Sequence, residues 1–145
     1  KEAMWQGIAA MATGRYVGDI GAAIDDYIDA LPAQTRPSIV KEFIGHGIGT
    51  HMHMDPEVYN FRARARKIKL QPGMVLCIEP ILAAGSAENY TLPDQWTVKT
   101  YDGSDGCHWE HEVALHSKGI WVLSARDGGA SELARFGITP VPLEG

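Results

Sequence analysis

A chain of 145 residues, 45% hydrophobic and 21% charged, is long enough to bury one sizeable core and has an ordinary globular composition. Its formal net charge of −5 and the lack of a basic stripe argue against a nucleic-acid partner, and no apolar run approaches the length needed to span a bilayer. Cys77 and Cys107 are too few for a disulfide framework, and the first residues carry no signal-peptide pattern, so a reducing cytoplasm is the expected compartment.

Residues 1–12 place Met4, Ile8 and Met11 on one helical face, with Gly14 as the stop. A second helix opens at Gly18-Asp19, with Asp19 as N-cap, and repeats Ile20, Ile24, Ile28 and Leu31 along one side. Asp25 and Asp26 fall on its polar face, as solvated surface or as metal ligands. Pro32 ends it, and Leu31–Pro37 reads as a loop.

From Ser38 the pattern becomes strand-like, and the segment IVKEFIG leads into the densest stretch of the chain, FIGHGIGTHMHMDPEVYNF, from Phe43 to Phe61. There His46, His51 and His53 fall within eight residues, and Gly45, Gly47 and Gly49 surround the first of them. Alternate glycines allow unusual dihedrals and let another strand or a ligand approach closely. Imidazole is the commonest metal ligand and a proton carrier near neutral pH, yet the segment alone leaves structural and metal-binding readings open. Arg62, Arg64, Arg66, Lys67 and Lys69 form a basic cluster that reads as a solvated loop or edge strand.

Leu70–Gly73 is a turn, and Met74–Pro80 (MVLCIEP) reads as a central strand whose only charge is Glu79. A carboxylate on such a strand needs a partner, for which a metal is the most economical, unless it lies exposed at the strand end before Pro80. Gln95–Tyr101 alternates as a half-buried strand, DGSDG (Asp102–Gly106) supplies a hairpin turn, and Cys107–Leu115 returns as its partner. On that return strand His108, Glu110 and Glu112 share one side; Trp109, His111 and Val113 share the other. After a turn at His116–Gly119, Ile120–Ser124 reads as a strand, and residues 126–145 read as a surface extension. The order predicts a single α+β domain over 1–145, two helices packed on a mostly antiparallel curved sheet.

His46, Glu79 and Glu110 lie at the ends of separate strands, far apart in sequence, and neither CxxC pairs nor HExxH is present. Mixed imidazole and carboxylate donors suit divalent Mn, Fe, Co or Zn in a site that activates water and polarises a carbonyl. His53 stands near enough in sequence to bond to a substrate held there.

Gly45-His46-Gly47-Ile48-Gly49, His53 and Val58-Tyr59-Asn60-Phe61 resemble the signature segment of type I methionine aminopeptidases. Gly73-Met74 with Ile78-Glu79-Pro80, Asp94-Gln95-Trp96-Thr97-Val98 and Glu110-His111 resemble that family's other motifs, in the same order over residues 1 to 125. The resemblance implies half of a pita-bread fold and a dinuclear metallopeptidase that removes initiator methionine. Carried over, His46 and Glu79 bind one metal, Glu110 bridges both, and Glu79 assists proton transfer. His53 meets the scissile amide, while Trp96 and Met52, the latter in place of a common aromatic, wall the methionine pocket. His51 matches no functional position.

The family also uses two aspartate ligands in its first half, and this sequence has no strand matching them. The expectation is therefore a C-terminal half that holds at most one divalent ion (Co, Mn, Fe or Zn) weakly and is nearly inactive alone. Its partners would be a peptide with N-terminal methionine and the missing N-terminal half. Two alternatives stand: an X-Pro aminopeptidase or prolidase, and a non-catalytic pita-bread module that binds peptides or proteins.

Overall fold

The computed structural model describes residues 1–63 and 67–143. Its first two helices are α1 (Glu2–Thr13) and α2 (Gly18–Asp29). The apolar spacing does what it predicts: Met4, Ile8 and Met11 of α1 and Ile20, Ile24 and Ile28 of α2 are buried in one core. Asp19 is not the N-cap. Val17 holds that position, while the Asp19 carboxylate accepts the N–H groups of Arg15 and Tyr16 at 2.7 and 2.8 Å and pins the link between the helices. Asp25 accepts the N–H of Arg62 at 2.9 Å and Asp26 pairs with the Arg62 guanidinium, so this acidic pair anchors surface chain. Of the basic cluster, Arg64 and Arg66 lie outside the described residues.

The remaining elements are β1 (Ser38–Ile39), β2 (Gly45–Gly47), β3 (Met54–Val58), β4 (Val75–Ile78), β5 (Ile81–Ala83), β6 (Asn89–Thr91), β7 (Val98–Thr100), β8 (Gly106–His108), β9 (His111–His116), β10 (Gly119–Val122) and α3 (Ala130–Leu133). Five strands form an antiparallel sheet in the order β10-β9-β4-β2-β3. The helices pack on the face that presents Leu76, Ile78, Val113, Ile120 and Val122. Cys77, between Leu76 and Ile78, is also buried but stands outside that core, as the period-two alternation of a strand requires. The central strand expected at Met74–Pro80 is therefore β4, with one side for the core and one side for other use.

Two expected strand runs are divided. The segment IVKEFIG splits into β1, which pairs with β5, and β2, which joins the five-stranded sheet. The strand within Gln95–Tyr101 pairs backwards with β6 rather than forwards with the Cys107–Leu115 run. That run is itself two strands, β8 against β5 and β9 against β4. β4–β5 and β8–β9 are thus one long antiparallel pair that changes sheet midway. Registers Ile78↔His111 and Ile81↔His108 bracket the change, leaving Glu79-Pro80 opposite Trp109-Glu110 with no ladder between them. Proline has no N–H to give, so a break at Pro80 is dictated chemically.

Within the expected surface extension, Leu133 on α3 is fully buried in the core, while Arg126 and Asp127 are not. Glu144 and Gly145 lie outside the described residues. Among the described residues no helix is long and apolar enough to cross a membrane.

Candidate metal centre

The break in the long strand pair puts two carboxylates in one place. Glu79 follows the last residue of β4, and Glu110 precedes the first residue of β9. β2 lies beside β4 in register His46↔Cys77, which sets His46 next to Cys77. The close approach needs glycine: a Cβ on Gly45 would stand 2.2 Å from the Cys77 carbonyl oxygen, and one on Gly47 would stand 2.3 Å from that of Asp55. A bulge between His46 and Gly47 interrupts the β2–β3 register, a device that re-aims a side chain.

The resulting cluster is compact. Nε2 of His46 lies 3.2 Å from Oε1 of Glu79, and Nε2 of His108 lies 3.3 Å from Oε2 of the same carboxylate. Donor atoms of Glu79, His108 and Glu110 all stand within 4.8 Å of one another, as do those of His46, Cys77 and Glu110. Glu110 belongs to both sets. The His53 ring meets the His46 ring edge-on, 4.5 Å between centroids.

His46 Nδ1 lies 2.9 Å from the Gly47 carbonyl oxygen. A carbonyl only accepts, so Nδ1 carries a proton, and in the neutral ring Nε2 presents its lone pair to Glu79. Two acceptors at 3.2 Å require a shared proton or a cation between them. Glu79 has its pKa raised by burial and then by the charge of Glu110, and His46 and His108 offset this only partly. Burial, then Glu110, push the Cys77 thiol up to about 12, which keeps it protonated at neutral pH. A divalent ion is bound by deprotonated carboxylates and neutral imidazole, and its charge would relieve the Glu79–Glu110 repulsion. The donor set fits such an ion.

The other expected site residues are arranged less closely. Trp96 is 87% exposed and lines a cavity of about 700 Å³ that also has Phe43, Val98 and His108 in its wall. His53 lines a shallower cavity of about 500 Å³ with His46, Met54 and Asp55. Met52 is 67% exposed and is not part of the wall that Trp96 lines. His111, beside Glu110 in sequence, turns to the helix side, stacks on Trp5 at 5.0 Å and lies 2.8 Å from the Ser124 hydroxyl.

Three residues escape sequence reasoning as parts of this site. Cys77 and His108 join it only through strand register. Asn60, fully buried, donates from Nδ2 to the backbone carbonyls of Phe43 at 3.3 Å and Glu79 at 3.4 Å, and so fixes the backbone at the break. The sequence sign of Asn60 is its place in the segment Val58-Tyr59-Asn60-Phe61.

Residues 1–117 match the family model described as metallopeptidase family M24. The chain belongs to that family. It is 42% identical over 126 residues to methionine aminopeptidase 1 of Mycobacterium tuberculosis, covering 86% of this chain and 47% of that protein. Over 124 residues it is 39% identical to methionine aminopeptidase B of Synechocystis sp., covering 86% of this chain and 44% of that one. Among solved structures, methionine aminopeptidase from Rickettsia prowazekii superposes with a TM-score of 0.76 at 31% identity, covering 86% of this chain and 49% of that one. The chain spans about half the length of the curated relatives it matches. The α+β architecture of this M24 chain is that of the pita-bread fold.

Proposed function

We propose that this M24 chain supplies one half of a metal-dependent aminopeptidase that removes the initiator methionine from peptides and nascent proteins. The observation that carries the reading is the convergence of three side chains: His46 Nε2 stands 3.2 Å from Glu79 Oε1, with Glu110 across the strand break. In this reading His46, Glu79 and Glu110 would hold the divalent ions, the bridging role falling to Glu110 by the resemblance. A bound divalent cation supplies Lewis-acid polarisation of a carbonyl and lowers the pKa of water.

The chain's own residues do the rest. Glu79, whose pKa is already raised, takes a proton from the nucleophilic water and returns it to the leaving amine. His53, beside His46, hydrogen-bonds the scissile amide. Trp96 forms a wall for the methionine side chain, in keeping with its place on the larger cavity, and Met52, which does not line that cavity, is assigned to the pocket on the resemblance alone. The reaction is set in the cytoplasm, in keeping with two free cysteines, and the metal is Co, Mn, Fe or Zn.

The resemblance calls for two further aspartate ligands, which no strand of this sequence matches. The isolated chain is therefore proposed to be nearly inactive. The test uses a Met-Ala-Ser peptide with added Mn or Co. A chimera in which residues 1–125 replace the matching half of the Mycobacterium tuberculosis enzyme should release methionine, and its Glu79→Ala form should not. The 145-residue chain alone should release almost none. A folded but inactive chimera, or a Glu79→Ala chimera as active as its parent, would contradict the reading.

A further inference from the structure

We propose that His108 is a direct ligand, completing with Glu79 and Glu110 a one-imidazole, two-carboxylate site for a divalent cation that lies wholly within residues 79–110. This rests on the reading of Glu79 and Glu110 as metal ligands. His108 enters from the opposite side of the cluster to His46: Glu79 offers Oε1 to His46 and Oε2 to His108. Donors bound to one ion at about 2.1 Å stand about 3–4 Å apart. The His108–Glu79 separation of 3.3 Å is already in that range, and the full donor set of Glu79, His108 and Glu110 lies within 4.8 Å.

The placement follows from the fold. His108 is the last residue of β8, paired with Ile81, so it and Glu79 approach the same break from its two strands. Across the break, donor atoms of His108 and Glu110 still come within 4.8 Å of each other. The His108 side chain is 44% exposed and borders the larger cavity, so a cation reaches it without the core opening. An ion held there would sit in the wall of the cavity that Trp96 also lines, where a substrate carbonyl can approach it.

The alternative role for His108 is to orient Glu79 by a hydrogen bond, and the glutamine substitution separates the two. A glutamine side chain in place of His108 could still donate to Glu79, but an amide is a far weaker ligand than imidazole for Co²⁺. The experiment is calorimetric titration of the 145-residue chain with CoCl₂, followed also by the visible absorption of the bound ion. Wild type should bind Co²⁺; His108→Ala and His108→Gln should each lose at least about tenfold in affinity and change the spectrum, with thermal melting unchanged. Affinity within twofold of wild type for His108→Ala, or restoration by His108→Gln, overturns the inference. Glu110→Gln separates it from the parent reading. If Glu110→Gln abolishes binding while His108→Ala does not, only the His108 assignment fails. If wild type binds no Co²⁺, or Glu110→Gln binds as well as wild type, both fail.

Discussion

The two sides of β4 differ more than any other neighbouring regions of the molecule. Leu76 and Ile78 are fully buried in the apolar core to which α1 and α2 also contribute. Cys77 faces the other way, and with Glu79 just beyond the strand it joins a cluster of imidazoles and carboxylates. One side is closed and apolar; the other gathers imidazoles and carboxylates in which the repulsion of Glu79 and Glu110 is only partly offset by His46 and His108. A strand of period two can serve both needs, because successive residues answer to different neighbours. Stability should therefore respond to one side and metal affinity to the other.

The largest effect is expected on the core side. Leu76→Ala removes a fully buried side chain and should cost about 2–5 kcal/mol in urea unfolding, a large share of the roughly 5–15 kcal/mol typical of a domain. A loss below 1 kcal/mol would mean that the core does not hold the sheet as described. Asn60→Ala comes next, since it strands the carbonyls of Phe43 and Glu79 in a buried setting. It should cost about 1–3 kcal/mol and also weaken Co²⁺ binding, because it frees the backbone that carries Glu79. Full retention of affinity would detach Asn60 from the site.

On the donor side the expectation reverses. Glu110→Gln should leave the unfolding free energy within about 0.5 kcal/mol while removing metal binding. A destabilisation as large as that of Leu76→Ala would erase the distinction between the two sides.

The smallest effect lies away from both. Asp102 accepts the N–H groups of Ser86 at 2.7 Å and Ser104 at 2.9 Å, which hold its pKa down to about 2 from an ordinary 3.8. A lowered folded pKa gives a contribution that is present above 3.8 and lost as pH falls through about 2. Asp102→Asn should flatten only that part of the acid-unfolding profile, and a change confined to pH above 5 would contradict the assignment.

The helices were legible because Met4, Ile8 and Met11, and then Ile20, Ile24 and Ile28, repeat at the helical period, and period is a local property. β4 was legible for its apolar run, with Glu79 as its one charge; His46 stood out among flanking glycines and nearby histidines, and Glu110 in a run dense in histidine and glutamate. Pairing was not. DGSDG reads as a hairpin turn, but the turn that closes the hairpin is at Pro93–Trp96. There Asp94 accepts the N–H groups of Trp96 and Thr97, and Gln95 adopts a φ of 57°. The Asp94 turn lies partly inside the run read as strand from Gln95, and the alternation of that run does not say on which side its partner lies. The consequence reached the site: reading Cys107–Leu115 as one strand hid the break that brings Glu110 to Glu79. His108 and Cys77 were hidden with it, because only register makes them neighbours of His46, Glu79 and Glu110. Leu133, an apolar residue on a helix of four, has no periodic company to announce that it is core.

Anomalous diffraction from crystals soaked in Zn²⁺ would show whether a cation occupies the strand break. The expected result is a peak within about 2.3 Å of carboxylate oxygens of both Glu79 and Glu110, with an imidazole nitrogen completing the contact. A well-ordered Zn²⁺ bound elsewhere, with Glu79 and Glu110 left bare, would contradict it.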